Sequence, residues 1–122
     1  MMGTLLVVDD RVDICELVQS HLVEHGHAVA SATDSAAARA LLSRERYDLA
    51  IIDVLMPGEG GLSLAAWAAR QGVRVLLMSG HPRTIDLDAD GPHYPLLRKP
   101  FRLADLDAAL AALLDPPVSA SR

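Results

Sequence analysis

Short apolar runs alternate with segments of helical periodicity along most of this chain. Such runs are typical of strands buried on both faces, whereas the segments between them repeat their apolar residues at helical spacing. Predicted strands span residues 5–8, 28–32, 48–53, 73–79 and 95–100, and predicted helices span 12–24, 33–45, 62–70 and 102–114. Because strands and helices alternate along the chain, the pattern predicts an α/β domain: a doubly wound, five-stranded parallel sheet with helices on both faces.

The composition limits the class of protein. A chain of 122 residues fits one compact domain, which we place at residues 1–115, followed by a frayed tail at 116–122. A net charge of -5 without clustered Lys or Arg argues against a nucleic-acid-binding surface. One cysteine excludes an internal disulfide, and no apolar run approaches the roughly 20 residues of a membrane span. We therefore expect a cytoplasmic protein whose partners are proteins or small phosphorylated molecules.

Polar side chains stand where four of the predicted strands end. They are Asp9 and Asp10 after the first strand, Asp53 in the third, Ser79 in the fourth and Lys99 in the fifth. The carboxyl ends of parallel strands lie along one edge of a sheet, so we expect these side chains to converge there. Three neighbouring carboxylates need a cation to stay ionised, and oxygen ligands suit Mg²⁺. With a lysine and a hydroxyl beside the ion, Asp53 could attack phosphorus and form an aspartyl phosphate.

Four motifs, in this order, resemble the receiver domain of two-component response regulators: LLVVDD, IIDVLMPGEGG, LLMSG and RKPF. The resemblance covers Thr4 to Leu114 and implies a flavodoxin-like strand order, 2-1-3-4-5. It also implies that a sensor histidine kinase or a histidine phosphotransfer protein donates a phosphoryl group to Asp53, which alters contacts with an unidentified protein target. We expect no enzyme in the ordinary sense, only self-catalysed phosphorylation and dephosphorylation.

The resemblance also implies roles for individual residues. The metal ligands it implies are Asp9, Asp10, Asp53 and the backbone carbonyl of Leu55, with Asp10 direct and Asp9 often acting through water. Ser79 and Lys99 would contact the phosphoryl group. The peptide bond before Pro100 would be cis.

Some positions depart from the family pattern. Leu96 stands three residues before the lysine, where the family usually has an aromatic residue, and Tyr94 is two residues out of register. Gly60 stands where an Asp often precedes the glycine. Residues 81–93 are too polar and broken for a regular helix, so we expect at most a short helical turn there. These departures keep a second hypothesis open, a degenerate receiver that binds partners without phosphorylation.

A third hypothesis is a Mg²⁺-dependent phosphohydrolase that uses an aspartyl phosphate. It is disfavoured because the position two residues after Asp53, where a general acid would help, is Leu55. A simpler alternative for Asp9 and Asp10 is that they cap the following helix. Acidic and basic residues at the matching ends of the other strands favour the metal site.

Four other side chains have ordinary structural interpretations. Cys15 falls on the apolar face of its helix and predicts core packing. His21 and His25 are four residues apart and could bind a metal, but no third ligand is evident, so a solvated helix end is favoured. Trp67 predicts a helix–sheet contact, with a partner-binding anchor as the minority alternative. The leucines of the last helix are predicted to pack in the core, and any apolar surface of this helix that stays exposed could form a homodimer interface.

Overall fold

The computed structural model of the protein describes residues 3–80 and 94–114. In chain order the elements are β1 (Thr4–Val8), α1 (Val12–Glu24), β2 (Ala28–Ala32), α2 (Ser35–Arg44), β3 (Leu49–Asp53), α3 (Gly61–Arg70), β4 (Arg74–Ser79), β5 (Leu96–Arg98) and α4 (Leu103–Leu114). Their bounds agree with the predicted bounds to within about two residues, as expected for helix and strand ends. The helical turn expected in 81–93 and the tail at 116–122 lie outside the described residues.

The five strands form one parallel sheet in the order β2-β1-β3-β4-β5, which confirms the flavodoxin-like prediction. β1 pairs with β2 on one side and with β3 on the other, so Val8 lies between Ala32 and Ile52. The chain therefore moves outward from β1 to β2 and returns past β1 to β3. At this reversal the loops after β1 and β3 separate, and ligands of doubly wound sheets bind in the resulting crevice.

Alternate strand residues face opposite sides of the sheet and build two cores. The first core contains Leu6, Val8, Ala50, Ile52 and Leu77 and is covered by α2 and α3. The second contains Leu5, Val7, Leu49, Ile51, Leu76 and Met78 and is covered by α1 and α4. Because β1, β3 and β4 are buried on both faces, their sequences are nearly continuous apolar runs.

The helix residues singled out in the sequence follow this division. Cys15 is buried in the second core, as predicted, and Leu106 and Leu110 anchor α4 there. Trp67 is half-buried and packs against the first core from α3. Within the described residues, no helix combines the length and apolarity that crossing a membrane requires.

Candidate functional site

Three carboxylates meet at the carboxyl ends of β1 and β3. Asp9 and Asp10 directly follow β1, Asp53 is the last residue of β3, and one carboxylate oxygen of each lies within 4.8 Å of the others. Asp9 is fully buried and Asp53 is 5% exposed, whereas Asp10 is exposed. The parallel topology thus produces the predicted convergence. Negative charges this close together repel, so the arrangement requires cations.

Lys99 supplies one positive charge from the end of β5. Its Nζ lies 2.6 Å from Asp9 Oδ2 and 3.3 Å from Asp53 Oδ2. Its backbone amide donates to the carbonyl of Ser79 at 2.8 Å, which holds the lysine beside the end of β4. Lys99 is also the only lysine in the sequence. One ammonium does not neutralise three carboxylates, so the site retains an affinity for a further cation.

The two buried carboxylates have the same arrangement of partners. Asp9 Oδ1 accepts from the backbone amide of Arg11 at 2.9 Å, and Asp53 Oδ1 accepts from that of Leu55 at 3.3 Å. In both residues the other oxygen, Oδ2, contacts Lys99. Each carboxylate is therefore fixed by its own following loop and shares the lysine with the other.

Burial shapes the protonation of this site. It is the largest cause that raises the pKa of Asp53; the ammonium of Lys99 opposes it, and the charge of Asp9 adds to it. For Lys99, burial disfavours the charged form, but the contacts with Asp9 and Asp53 outweigh it and raise its pKa. The two carboxylates therefore favour the charged form of Lys99, whereas burial disfavours the charged form of Asp53, which a nearby cation would stabilise.

Helix capping does not account for the acidic pair. The N-cap residue of α1 is Arg11, whose side chain makes no capping hydrogen bond. By contrast, Asp34 caps α2, because its carboxylate accepts from the amide of Ala37 at 2.7 Å. The N-cap of α3 is Gly60, which has no side chain to offer at the position where the family often has an Asp.

The other predicted residues lie around the carboxylates. Ser79 is buried at the end of β4 and pairs in register with Arg98, next to Lys99. The side chain of Leu55 is exposed, and its amide contacts Asp53 as described. Tyr94 and Leu96 are both half-buried and pack on the first core, the shared face expected for positions two residues apart. The Lys99–Pro100 peptide bond is cis, as the resemblance implied.

Sequence reasoning missed the support of the loop that follows Asp53. Arg39 of α2 makes two hydrogen bonds to the carboxylate of Glu59, one of them from Nε to Oε1 at 3.0 Å. Ser63 Oγ donates to that carboxylate at 2.9 Å, and Ser35 Oγ donates to the carbonyl of Glu59 at 3.1 Å. The guanidinium of Arg39 also lies 4.8 Å from the ring centre of Trp67. These contacts tie the loop to α2 and α3.

The comparisons with known proteins agree with this architecture. The chain belongs to the response regulator receiver domain family, whose model matches residues 5–111. It is 36% identical over 116 residues to the transcriptional regulatory protein TctD of Salmonella typhimurium, a match covering 90% of this chain and 51% of TctD. It is also 36% identical over 115 residues to PetR of Rhodobacter capsulatus, covering 90% and 48%. The chain thus spans about half the length of these curated relatives.

Solved structures of response regulator proteins share the fold of this chain. The chemotaxis protein CheY4 of Vibrio cholerae superposes with a TM-score of 0.83 at 26% identity, covering 93% of this chain and 99% of CheY4. The response regulator TrrA of Thermotoga maritima, in complex with Mg²⁺ and BeF, has a TM-score of 0.79 at 29% identity, covering 92% and 99%.

The donor set of the acidic pocket fits a hard divalent cation. Asp9, Asp10 and Asp53 offer only carboxylate oxygens, which Mg²⁺ prefers to imidazole or thiolate ligands. The pocket has three carboxylates and one ammonium, so its excess negative charge also suits Mg²⁺. TrrA holds this ion together with BeF.

Proposed function

We propose that this domain receives a phosphoryl group on Asp53 from the phosphohistidine of a sensor histidine kinase or a histidine phosphotransfer protein. The observation that carries the proposal is the buried Asp53 carboxylate, which shares Lys99 with Asp9 at the reversal point of the sheet. In this reaction a carboxylate oxygen of Asp53 forms a bond to phosphorus. The bond between phosphorus and the histidine nitrogen breaks, and the imidazole leaves with the bonding electron pair.

Each neighbouring residue has a role in this transfer. Asp9, Asp10, Asp53 and the backbone carbonyl of Leu55 would hold Mg²⁺, which when bound offsets negative charge on the phosphoryl oxygens. The Lys99 ammonium, already 3.3 Å from Asp53 Oδ2, contacts a phosphoryl oxygen of the product. The Ser79 hydroxyl, from the adjacent strand end, donates a hydrogen bond to another. Such a site mainly positions groups and stabilises charge, as phosphoryl transfer requires.

Phosphorylation would then alter the contacts of the domain with a downstream protein, in the cytoplasm, where such a relay operates. The domain acts as a signalling acceptor rather than as a turnover enzyme. Its output target is a protein rather than a nucleic acid or a membrane.

The experiment that tests this proposal is intact-protein mass measurement after incubation with acetyl phosphate. The wild type is compared with Asp53→Asn, with a chelator control, and with Asp13→Asn as an exposed, matched control. We expect the mass of one phosphoryl group to be added in the wild type and in Asp13→Asn only, and only with Mg²⁺ present. If neither acetyl phosphate nor beryllofluoride modifies the wild type, the domain is instead a degenerate receiver that acts as an unphosphorylated interaction module.

A further inference from the structure

A second group of potential metal ligands lies at the C-terminal end of α1, away from the acidic pocket. His21 and His25, both near the end of this helix, meet Asp107 of α4, and one ligand atom of each lies within 4.8 Å of the others. His21 Nε2 is 2.8 Å from Asp107 Oδ1, and the two imidazole rings are 4.3 Å apart between centres. The favoured sequence interpretation, a solvated helix end without a third ligand, is therefore incomplete. Asp107 stands 86 residues from His21, where spacing alone gave no signal.

The hydrogen bond of the His25 imidazole leaves its second nitrogen available to a metal. His25 Nδ1 lies 2.9 Å from the backbone carbonyl of His21, and a carbonyl can only accept, so this nitrogen carries the hydrogen. In the neutral ring the Nε2 lone pair of His25 is then free to bind a metal. Ligating histidines usually hold their second nitrogen in this way, through a bond to a carbonyl or a carboxylate.

We propose that His21, His25 and Asp107 form a binding site for a divalent transition-metal ion, with Zn²⁺ as the ion best suited to it. Two imidazoles and one carboxylate form a donor set that Zn²⁺ takes at open sites, with water completing a tetrahedron. Mg²⁺ is a poor match because it prefers oxygen ligands. The two sites thus differ in ligand type, so the histidine-containing site favours Zn²⁺ and the acidic pocket favours Mg²⁺.

The geometry requires little rearrangement. Ligand atoms about 2.1 Å from a tetrahedral Zn²⁺ lie about 3.4 Å from each other. His21 Nε2 and Asp107 Oδ1 are 2.8 Å apart as a hydrogen-bonded pair; the metal takes the place of the hydrogen between them, and the two atoms move apart by about 0.6 Å. His25 is exposed, so a small rotation of its side chain brings the third ligand in. The partial exposure of the group also gives a metal access from solution.

The site is separate from the acidic pocket. α1 begins three residues after Asp9 and runs from Val12 to Glu24, about 20 Å along its axis. His25 stands at its far end as the C-cap residue. A metal held there joins α1 to α4, two helices that pack on the same core, and binds a residue pair that is distant in the unfolded chain. Binding therefore stabilises the native fold.

The test is calorimetric titration of Zn²⁺ into the untagged, chelator-treated protein with saturating Mg²⁺ present. The ligand variants are His25→Gln and Asp107→Asn; His27→Gln removes an imidazole outside the group, and Asp53→Asn removes an oxygen ligand from the acidic pocket. His25 is chosen over His21 because it is exposed, so its replacement leaves the packing intact. We expect one Zn²⁺ per chain in the wild type, His27→Gln and Asp53→Asn, and an affinity at least about tenfold weaker in both ligand variants.

Thermal unfolding gives a second readout. Zn²⁺ should raise the Tm of the wild type and of His27→Gln but leave that of His25→Gln nearly unchanged. Equal Zn²⁺ affinity in the wild type and His25→Gln would overturn the proposal. So would loss of binding in Asp53→Asn, which would place the ion in the acidic pocket, or the lack of any binding in the wild type.

Discussion

The backbone of Gly61, at the start of α3, lies directly against the carbonyl group of Asp53. A Cβ at this position would lie 2.8 Å from the carbonyl carbon of Asp53 and 2.8 Å from Cα of Val54, and closer still to the carbonyl oxygen. The amide of Gly61 also donates to the carbonyl of Val54 at 3.0 Å. The start of α3 and the candidate phosphoacceptor therefore share one closely packed segment of backbone.

Gly61→Ala should consequently disturb the site as well as the fold. The added methyl must push Asp53 or α3 away, and overpacking of this kind costs about 1–3 kcal/mol in unfolding free energy. Urea unfolding measures the loss, and the rate of phosphorylation by acetyl phosphate should fall with it. Gly60→Ala is the matched control, because a Cβ there meets only the carbonyl oxygen of Val54, at 3.9 Å. Equal losses in the two variants would contradict the close contact.

Replacing Lys99 with Gln should lower stability in the absence of divalent cations. The substitution leaves the buried carboxylates of Asp9 and Asp53 without their ammonium partner, and breaking a buried pair typically costs about 3–5 kcal/mol. Mg²⁺ should restore part of the loss, because it binds the native pocket. Chemical unfolding with and without Mg²⁺ measures both effects. Arg98→Gln, an exposed cation one residue away, serves as control, and a variant as stable as this control would argue against the shared ion pair.

The pair formed by Arg39 and Glu59 should make stability depend on pH in the acid range. The hydrogen bond from Arg39 lowers the pKa of Glu59 below its ordinary value of 4.5, with Ser63 adding to the effect. The stabilisation is therefore fully present above pH 4.5 and is lost as the pH falls through the depressed pKa of the folded state. Glu59→Gln should be less stable than the wild type at pH 7, by about 1 kcal/mol or less, because solvent screens this partly exposed pair.

The check is a comparison of unfolding free energies of the wild type and Glu59→Gln at pH 7 and near pH 3. The difference should shrink at the lower pH. Glu16→Gln, an exposed position on α1, reports the general effect of removing one carboxylate. A difference between the wild type and Glu59→Gln that stays constant across this range would show that ionisation of Glu59 contributes nothing.

The thiol of Cys15 should be unreactive in the native protein. Burial raises its pKa, the negative charge of Asp9 adds to this, and Sγ donates to the backbone carbonyl of Asp9 at 3.3 Å. Thiolate is the reactive form, so a disulfide reagent at pH 7.5 should modify Cys15 slowly in buffer and quickly in urea. Since the chain has one cysteine, absorbance of the released thiol reports on it alone. Rapid, complete modification of the folded protein would contradict its position behind Asp9.

The sequence was sufficient for those parts of the structure that depend on pattern and topology. Buried parallel strands are nearly continuous apolar runs, so β1, β3 and β4 were visible, and their polar ends had to share an edge. That geometric rule alone brought Asp9, Asp53 and Lys99 together before any contact was known.

Contacts between helices and loops could not be predicted in this way. Arg39 and Glu59, like His21 and Asp107, approach each other because of how particular helices pack on the sheet, and packing angles leave no periodic signal in the chain. For the same reason nothing in the sequence indicated that His25 lies near Asp107. The shared face of Tyr94 and Leu96, by contrast, follows from their spacing, since residues two apart on a strand point to the same side of the sheet.

The order of the site residues along the chain has a consequence for synthesis. The acidic residues of the pocket have all been added by residue 53, whereas the only lysine of the chain arrives at position 99. A nascent or shortened polypeptide that ends before β5 thus carries the three carboxylates but lacks the lysine of the same chain that pairs with them. In such a polypeptide Asp9 has no ammonium group beside which it can be buried. The pocket becomes chemically complete only when the last strand docks, so a truncated product cannot contain a finished copy of it.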